Sequence, residues 1–381
     1  MDKTLADIFN IPQIDVPSAD KQRQEDEYLP MVHHKATDSI ASMVGAKEER
    51  NLLGAATLTS GEVKLVIDGL ERLGGLLGVS THKLLSVSMA LFTDQNHLGA
   101  GHQSALRTAE VAFPLKEYAT LCGYEVTPRQ KTGDPELDKK ETARAKSQLD
   151  KVRRKVKKDL QLLLASSLSM DNDNDWAGIN VLGSASLTRG LITVEFSSKI
   201  AKALIKCPIT QYPTALLRLD ERNANAYAIG LAMAEHFNMD NNQLRGTAQI
   251  LKVKTLLEKT TLPSIEEIRK QRTSWEDRIK EPIEVALDAL HANGVLEDWR
   301  YSKSKGAELT DEEATNFSSF EDWAETRLFY ILKNAPNHAP RLEARQEEKR
   351  QALKKQGSRK AKKAASATKT TATAKRPRAT N

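Results

Sequence analysis

Two cysteines, Cys122 and Cys207, are all that this chain of 381 residues carries. They lie far apart and outside any Cys-x-x-Cys pattern, so no disulfide framework is expected. A reducing, cytoplasmic compartment with two structural thiols is expected. Aromatic residues make up 5% of the chain, too few to suggest a stacking platform for single-stranded nucleic acid. No apolar run approaches the ~18 residues of a spanning helix. The start, Met1-Asp2-Lys3-Thr4-Leu5, lacks the basic-then-apolar order of a secretion signal. No membrane partner is expected.

Catalytic signatures are equally scarce. There is no Gly-x-x-x-x-Gly-Lys-Ser/Thr loop to cradle a nucleotide. The pair His33-His34 lacks the spacing that would turn both rings to one metal, and His97 and His102 flank glycines at a spacing poor for a helical pair. Asp171, Asp173 and Asp175 mimic the start of a calcium loop, but Trp176 stands where that loop needs Gly and Leu182 where it needs Glu. The expectation is a protein that is not an enzyme, with no cofactor and no metal.

What the chain has in quantity is charge. Charged residues form 28% of it and the formal balance is +6. From Arg341 to Asn381 there are 14 Lys and Arg against 3 Glu, a balance of +11, so the preceding residues sum to −5. The tail's Lys/Ala/Thr composition buries too little apolar surface to offset ordering and is expected to be disordered. Counterion release would let it add non-specific affinity for a polyanion.

The body states one pattern twice, and four segments are expected: 1–55, an N-terminal extension with a weak anchoring role; 56–210, a first domain; 211–335, a second; and 336–381, the basic tail. Residues 63–77 fit a helix, with a strand over Val63–Ile67 as the competing reading. Ser80 reads as the N-cap of the next helix. A strand over Ala109–Phe113 then enters a helix opened by Pro114 and closed by Gly123. A long helix runs from about Pro135 to Ser167. Trp176–Leu182 and Leu191–Phe196 form a hairpin turned at Thr188-Arg189-Gly190. In the second copy a helix over Ala226–Phe237 precedes the strand Ala248–Lys252 and the helix Val253–Lys259. Pro263-Ser264 starts a short helix, Ser274 caps a longer one ending near Asn293-Gly294, and the strands Val295–Tyr301 and Arg327–Leu332 close the unit. The order is that of a helix-turn-helix with a β-wing, giving a mainly α, α+β chain with two tandem winged-helix domains.

Three basic sets follow from this placement. Lys151, Arg153, Arg154, Lys155, Lys157 and Lys158 surround an apolar stripe of Val152, Val156, Leu160 and Leu163, a ridge suited to phosphates. Arg189 joins them at the turn of the first wing. In the second unit Lys270, Arg272, Thr273 and Ser274 precede the helix that carries Arg278 and Lys280. The start of such a helix points at base edges, where arginine can donate bidentately to guanine. Arg300, Lys303 and Lys305 lie on the second wing. Glu276, Asp277 and Glu281 dilute the second set, so a salt-bridged surface competes with a DNA interface there.

The stretches Ile192-Thr193-Val194-Glu195-Phe196-Ser197-Ser198-Lys199-Ile200-Ala201 and Ala224-Asn225-Ala226-Tyr227-Ala228-Ile229-Gly230-Leu231-Ala232 carry a resemblance, as does the helix Trp275–Leu290. Over roughly residues 80–335 the chain resembles the iteron-binding replication initiators of bacterial plasmids. The likeness is one of pattern and order, and the N-terminal extension, the insert after Ser302 and the basic tail depart from it. It implies binding of repeated origin sequences on double-stranded DNA, recruitment of host replication proteins, a monomer–dimer equilibrium with the first domain as the contact, and a place on the plasmid or nucleoid. The alternatives are a winged-helix transcriptional regulator of a mobile element and a protein-binding scaffold.

Overall fold

The computed structural model describes residues 27–32, 49–50, 56–60, 63–67, 77–96, 106–127, 134–171, 176–207, 209–303, 307, 309–310, 313–314 and 317–337. The tail, most of the N-terminal extension, Lys305, His33, His34, His97, His102 and the polar loop 172–175 lie outside the described residues. The chain is a mixed α+β protein.

The first strands are β1 (Tyr28–Val32), β2 (Glu49–Arg50), β3 (Ala56–Ser60) and β4 (Val63–Ile67). The five apolar-rich residues of β4 are a strand, so the strand reading of that stretch holds and the helical one over 63–77 does not. Helix α1 (Val79–Asn96) is buried nearly all round, as a helix at the centre of a core must be. Its polar side chains meet their needs locally: Ser88, Thr93 and Asn96 each donate to the carbonyl four residues back. Ser80 lies inside the first turn rather than at the cap, and its hydroxyl donates to the Asp159 carboxylate at 3.1 Å.

Strand β5 (Glu110–Pro114) leads into α2 (Leu115–Leu121), which ends at Gly123 with φ +80. There Tyr124 N–H donates to Ala119 O and Gly123 N–H to Thr120 O, the paired bonds of a left-handed helix stop that a Cβ would disfavour. Helix α3 (Pro135–Leu164) opens with Asp134 accepting from two backbone N–H groups and proline at its first position. Its 30 residues reach ~45 Å.

Helix α3 stops before β6 (Ser166–Asp171), a strand where the sequence reads as helix end and polar loop. Strand β7 (Trp176–Asn180) pairs with β6 and is not part of the expected hairpin. The hairpin is β8 (Leu182–Thr188) with β9 (Leu191–Phe196), joined by Arg189 and Gly190 at φ 52 and 81. Two positive φ values make the turn that suits the strands' right-handed twist. Helix α4 (Ser198–Leu204) and β10 (Ile209–Pro213) follow, then a 3-10 turn over Thr214–Arg218.

The second half holds α5 (Ala224–Asn238), α6 (Asp240–Arg245), β11 (Ile250–Lys252), α7 (Val253–Leu257) and α8 (Ile265–Gln271), the last opened by a reciprocal Ser264–Glu267 capping box. Ser274 Oγ accepts from Glu276 and Asp277 N–H. A π-helical turn over Glu276–Lys280 then continues into α9 (Glu281–Ala292). Strand β12 (Leu296–Ser302), helix α10 (Phe320–Glu325) and β13 (Arg327–Leu332) complete the described fold.

Two antiparallel three-stranded sheets result, in orders β5-β9-β8 and β11-β13-β12. In each, the last strand lies between the other two, and a helix, a strand, a short helix and a long helix come before the hairpin. Strands β2, β3 and β4, which precede α1, join β6 and β7, which fall between α3 and the hairpin, in a separate sheet. Buried side chains of both copies belong to one continuous core.

The N-terminal extension does more than anchor weakly. β1 is buried and pairs with β10. Val32 N–H donates to Thr93 of α1, and Tyr28 OH donates to Lys333 O beyond β13.

Candidate nucleic-acid interface

Helix α3 buries Val152, Val156, Leu160 and Leu163 on one side. The opposite side leaves Lys151, Arg153, Arg154 and Lys157 exposed. Arg153 sits 3.3 Å from Asp150, both half in solvent, and Arg154 Nε donates to the Asp150 carbonyl at 3.4 Å. Such exposed contacts are worth ~0–1 kcal/mol and leave the guanidiniums open to a stronger anion. Lys151 and Lys157 have no ion pair among the described residues. Lys158 is half-buried.

Lys155 differs from its neighbours. It pairs with Glu221 in the segment joining the two halves, where Tyr124 OH also donates to the same carboxylate. Burial lowers the Lys155 pKa, opposed by the charges of Asp159 and Asp220. Beneath it Asp159 is 4% exposed and accepts from Ser80 and Thr81. Burial raises its carboxyl above the usual range, against the pull of those two hydroxyls. Lys83, equally buried, donates 2.7 Å to Leu219 O, and burial brings its amine down to about 8. His82 meets Tyr227 OH at 2.8 Å, and burial lowers its pKa to about 4, so the ring is neutral near pH 7. Thus α1 and α3 hold the joint between the halves, and Lys155 faces that joint.

Arg189 is exposed at the tip of the β8–β9 turn. In the second half Arg272 is the left-handed cap of α8, at φ 54, with Lys270 and Thr273 exposed beside it. Arg278 is exposed in the π-helical turn. Among the described residues, the remaining expected cations of the second unit are engaged. Lys280 lies 5.2 Å from the Phe317 ring centroid and 4.0 Å from Glu284. Arg300 lies 4.9 Å from the Phe329 centroid and 3.9 Å from Asp298. Lys303 pairs with Glu313 at 2.8 Å.

Sequence reasoning passed over two features here. One is an apolar residue on the outward face of the second long helix: the acids Asp277 and Glu281 were expected to dilute this face, but Val285, 56% exposed, also lies on it with Asp288 and Arg278. A groove of about 520 Å³ lies beside it, lined by Asp220, Arg222, Asn223, Asn225, Glu281, Pro282 and Val285. The other is a set of aromatic rings: Trp275 packs on Phe320 and Trp323, and Trp323 is fully buried with its indole N–H on Tyr301 OH at 2.9 Å. Three of the four tryptophans belong to the second half, and that clustering is the signal a reader of the sequence had.

Among the described residues no group of His, Cys, Asp and Glu is placed to hold a metal, and no helix is long and apolar enough to cross a membrane. The chain matches no protein-family model and no curated protein.

Proposed function

We propose that the two copies are winged helices and that the chain binds double-stranded DNA, with α3 as its principal grip. The observation that carries this reading is the position of the cations. Lys151, Arg153, Arg154 and Lys157 are exposed on the long helix that precedes a hairpin, the element such a fold lays against DNA. Several like charges within two turns repel one another unless an anion neutralises them. The second unit contributes Arg278 at the start of its long helix, a donor for a guanine edge. The particular reading is a replication initiator of a plasmid or mobile element. It grips repeated origin sites through both units, recruits host replication proteins and exchanges between monomer and dimer on the plasmid DNA. Its support is the repeated element order together with the resemblance carried by residues 192–201, 224–232 and 275–290.

The test is footprinting on the DNA flanking its own gene, with the full chain and with a chain ending after residue 340. Protection of an array of direct repeats of ~20 base pairs, about two helical turns, is the expected result. Protection of a single palindrome would point to a transcriptional regulator. No protection at any site in low salt would sink both. A second reading, that the second unit binds protein, draws on the acidic outward face around Val285.

A further inference from the structure

The second hairpin ends in a row of cations that its own carboxylates occupy. Lys252, Arg327 and Ser302 face one another in register across β11, β13 and β12, so neighbours on that rung stand ~4.8 Å apart. Lys303 follows at the end of β12, and Arg269 approaches from α8. Each of three cations has a glutamate from the segment between β12 and β13: Lys252 with Glu325 at 2.5 Å, Arg269 with Glu321 at 2.5 Å, and Lys303 with Glu313 at 2.8 Å. Glu321 and Glu325 are four residues apart on α10, so one helix face supplies two of the three.

We propose that Lys252, Arg269 and Lys303 form a latent phosphate-binding edge, and that Glu313, Glu321 and Glu325 hold it in check as internal stand-ins for DNA phosphates. Helix α10 itself stays in place, because Trp323 is fully buried in the core. Only the glutamate side chains need to turn away. The pairs are solvent-exposed, with side-chain exposures of 45–62%, and such pairs are weak enough for a phosphate row to displace. Three charges within one edge then act on adjacent phosphates, each releasing condensed counterions from DNA. The carboxylates set a threshold: DNA held firmly elsewhere exchanges with them, and DNA met in passing does not.

This inference rests on the DNA-binding reading, and one experiment separates the two. The full chain and its Glu321→Gln/Glu325→Gln variant are titrated with a labelled duplex of arbitrary sequence over a range of salt. Glutamine keeps the shape of these exposed side chains, and thermal melting with tryptophan emission checks that the fold is retained. The variant is expected to bind about tenfold tighter at low salt, with a slope of log affinity against log salt steeper by about 2, one freed cation each for Lys252 and Arg269. Arg269→Gln is then made in both backgrounds. It should leave the parent's affinity nearly unchanged and remove much of the variant's gain. A variant that binds no tighter, or an Arg269→Gln effect equal in both backgrounds, would overturn the latent edge, since simple removal of repelling charge predicts that equality. Absence of duplex binding by the parent chain would overturn the DNA-binding reading itself.

Discussion

The two long helices, α3 and the π-turned helix ending in α9, occupy the same place in the repeated element order and present opposite chemistry. Helix α3 shows solvent a row of lysines and arginines. The second shows one arginine among Asp277, Glu281 and Asp288, with Val285 between them. The charge of the body before the tail divides in the same sense: residues 1–210 hold 27 bases and 27 acids, whereas residues 211–337 hold 16 bases and 21 acids. A shared topology therefore does not imply a shared mode of contact. On the DNA-binding reading proposed above, the first unit would hold a phosphate backbone and the second would discriminate, whether by a base edge or by a partner's surface.

Four variants put that contrast at risk. The largest effect is expected from Trp323→Ala, which removes a fully buried indole and leaves Tyr301 OH without its donor. It should cost ~3–5 kcal/mol in denaturant unfolding and loosen Trp275 at the start of the second long helix. A loss under ~1 kcal/mol would mean that the aromatic cluster does not support that helix. Next, Lys151→Ala/Arg154→Ala/Lys157→Ala should lower duplex affinity and reduce the salt slope by about 3; an unchanged slope would move the backbone grip elsewhere. Arg278→Ala should cost ~1–3 kcal/mol at one base position and relax sequence preference. Uniform weakening across sequences would make Arg278 a phosphate contact and erase the division of labour. The smallest effect is expected for Lys155→Gln. It breaks the pair with Glu221 and should change the salt slope by less than ~1, despite its place in the densest basic run of the body.

Lys155 also shows where the sequence stops being legible. Within Lys151–Lys158 every base looks alike, and only the phase of α3 against the joining segment assigns one of them to Glu221. Caps and turns were readable because their chemistry is local: Pro114, Gly123, Pro135, Ser264, Ser274 and the Arg189-Gly190 turn act within a few residues. Strand partners were not. The run from Trp176 to Thr188 is a nearly continuous strand, and nothing local reveals that its first part pairs with β6 and its second with β9. Tyr28–Val32, with Pro30 inside it, has no periodicity of its own and is a strand because β10 receives it. Ser80 carried a cap's signature, yet its hydroxyl serves a buried carboxylate. Legibility failed wherever the determining partner lay far along the chain.

The buried strand β1 has a consequence for how the molecule comes into being. The carbonyl that Tyr28 donates to, Lys333, is made 305 residues after it. Contacts of such sequence separation form late, because the chain entropy of closing them is lost before they stabilise anything. The first half can gather its helices as it emerges, but β1 and α1 keep apolar surface waiting for the second half. Folding of these residues should therefore end, rather than begin, at β1. A nascent chain stopped before β13 should leave Tyr28 without its distant acceptor and the core open on that side.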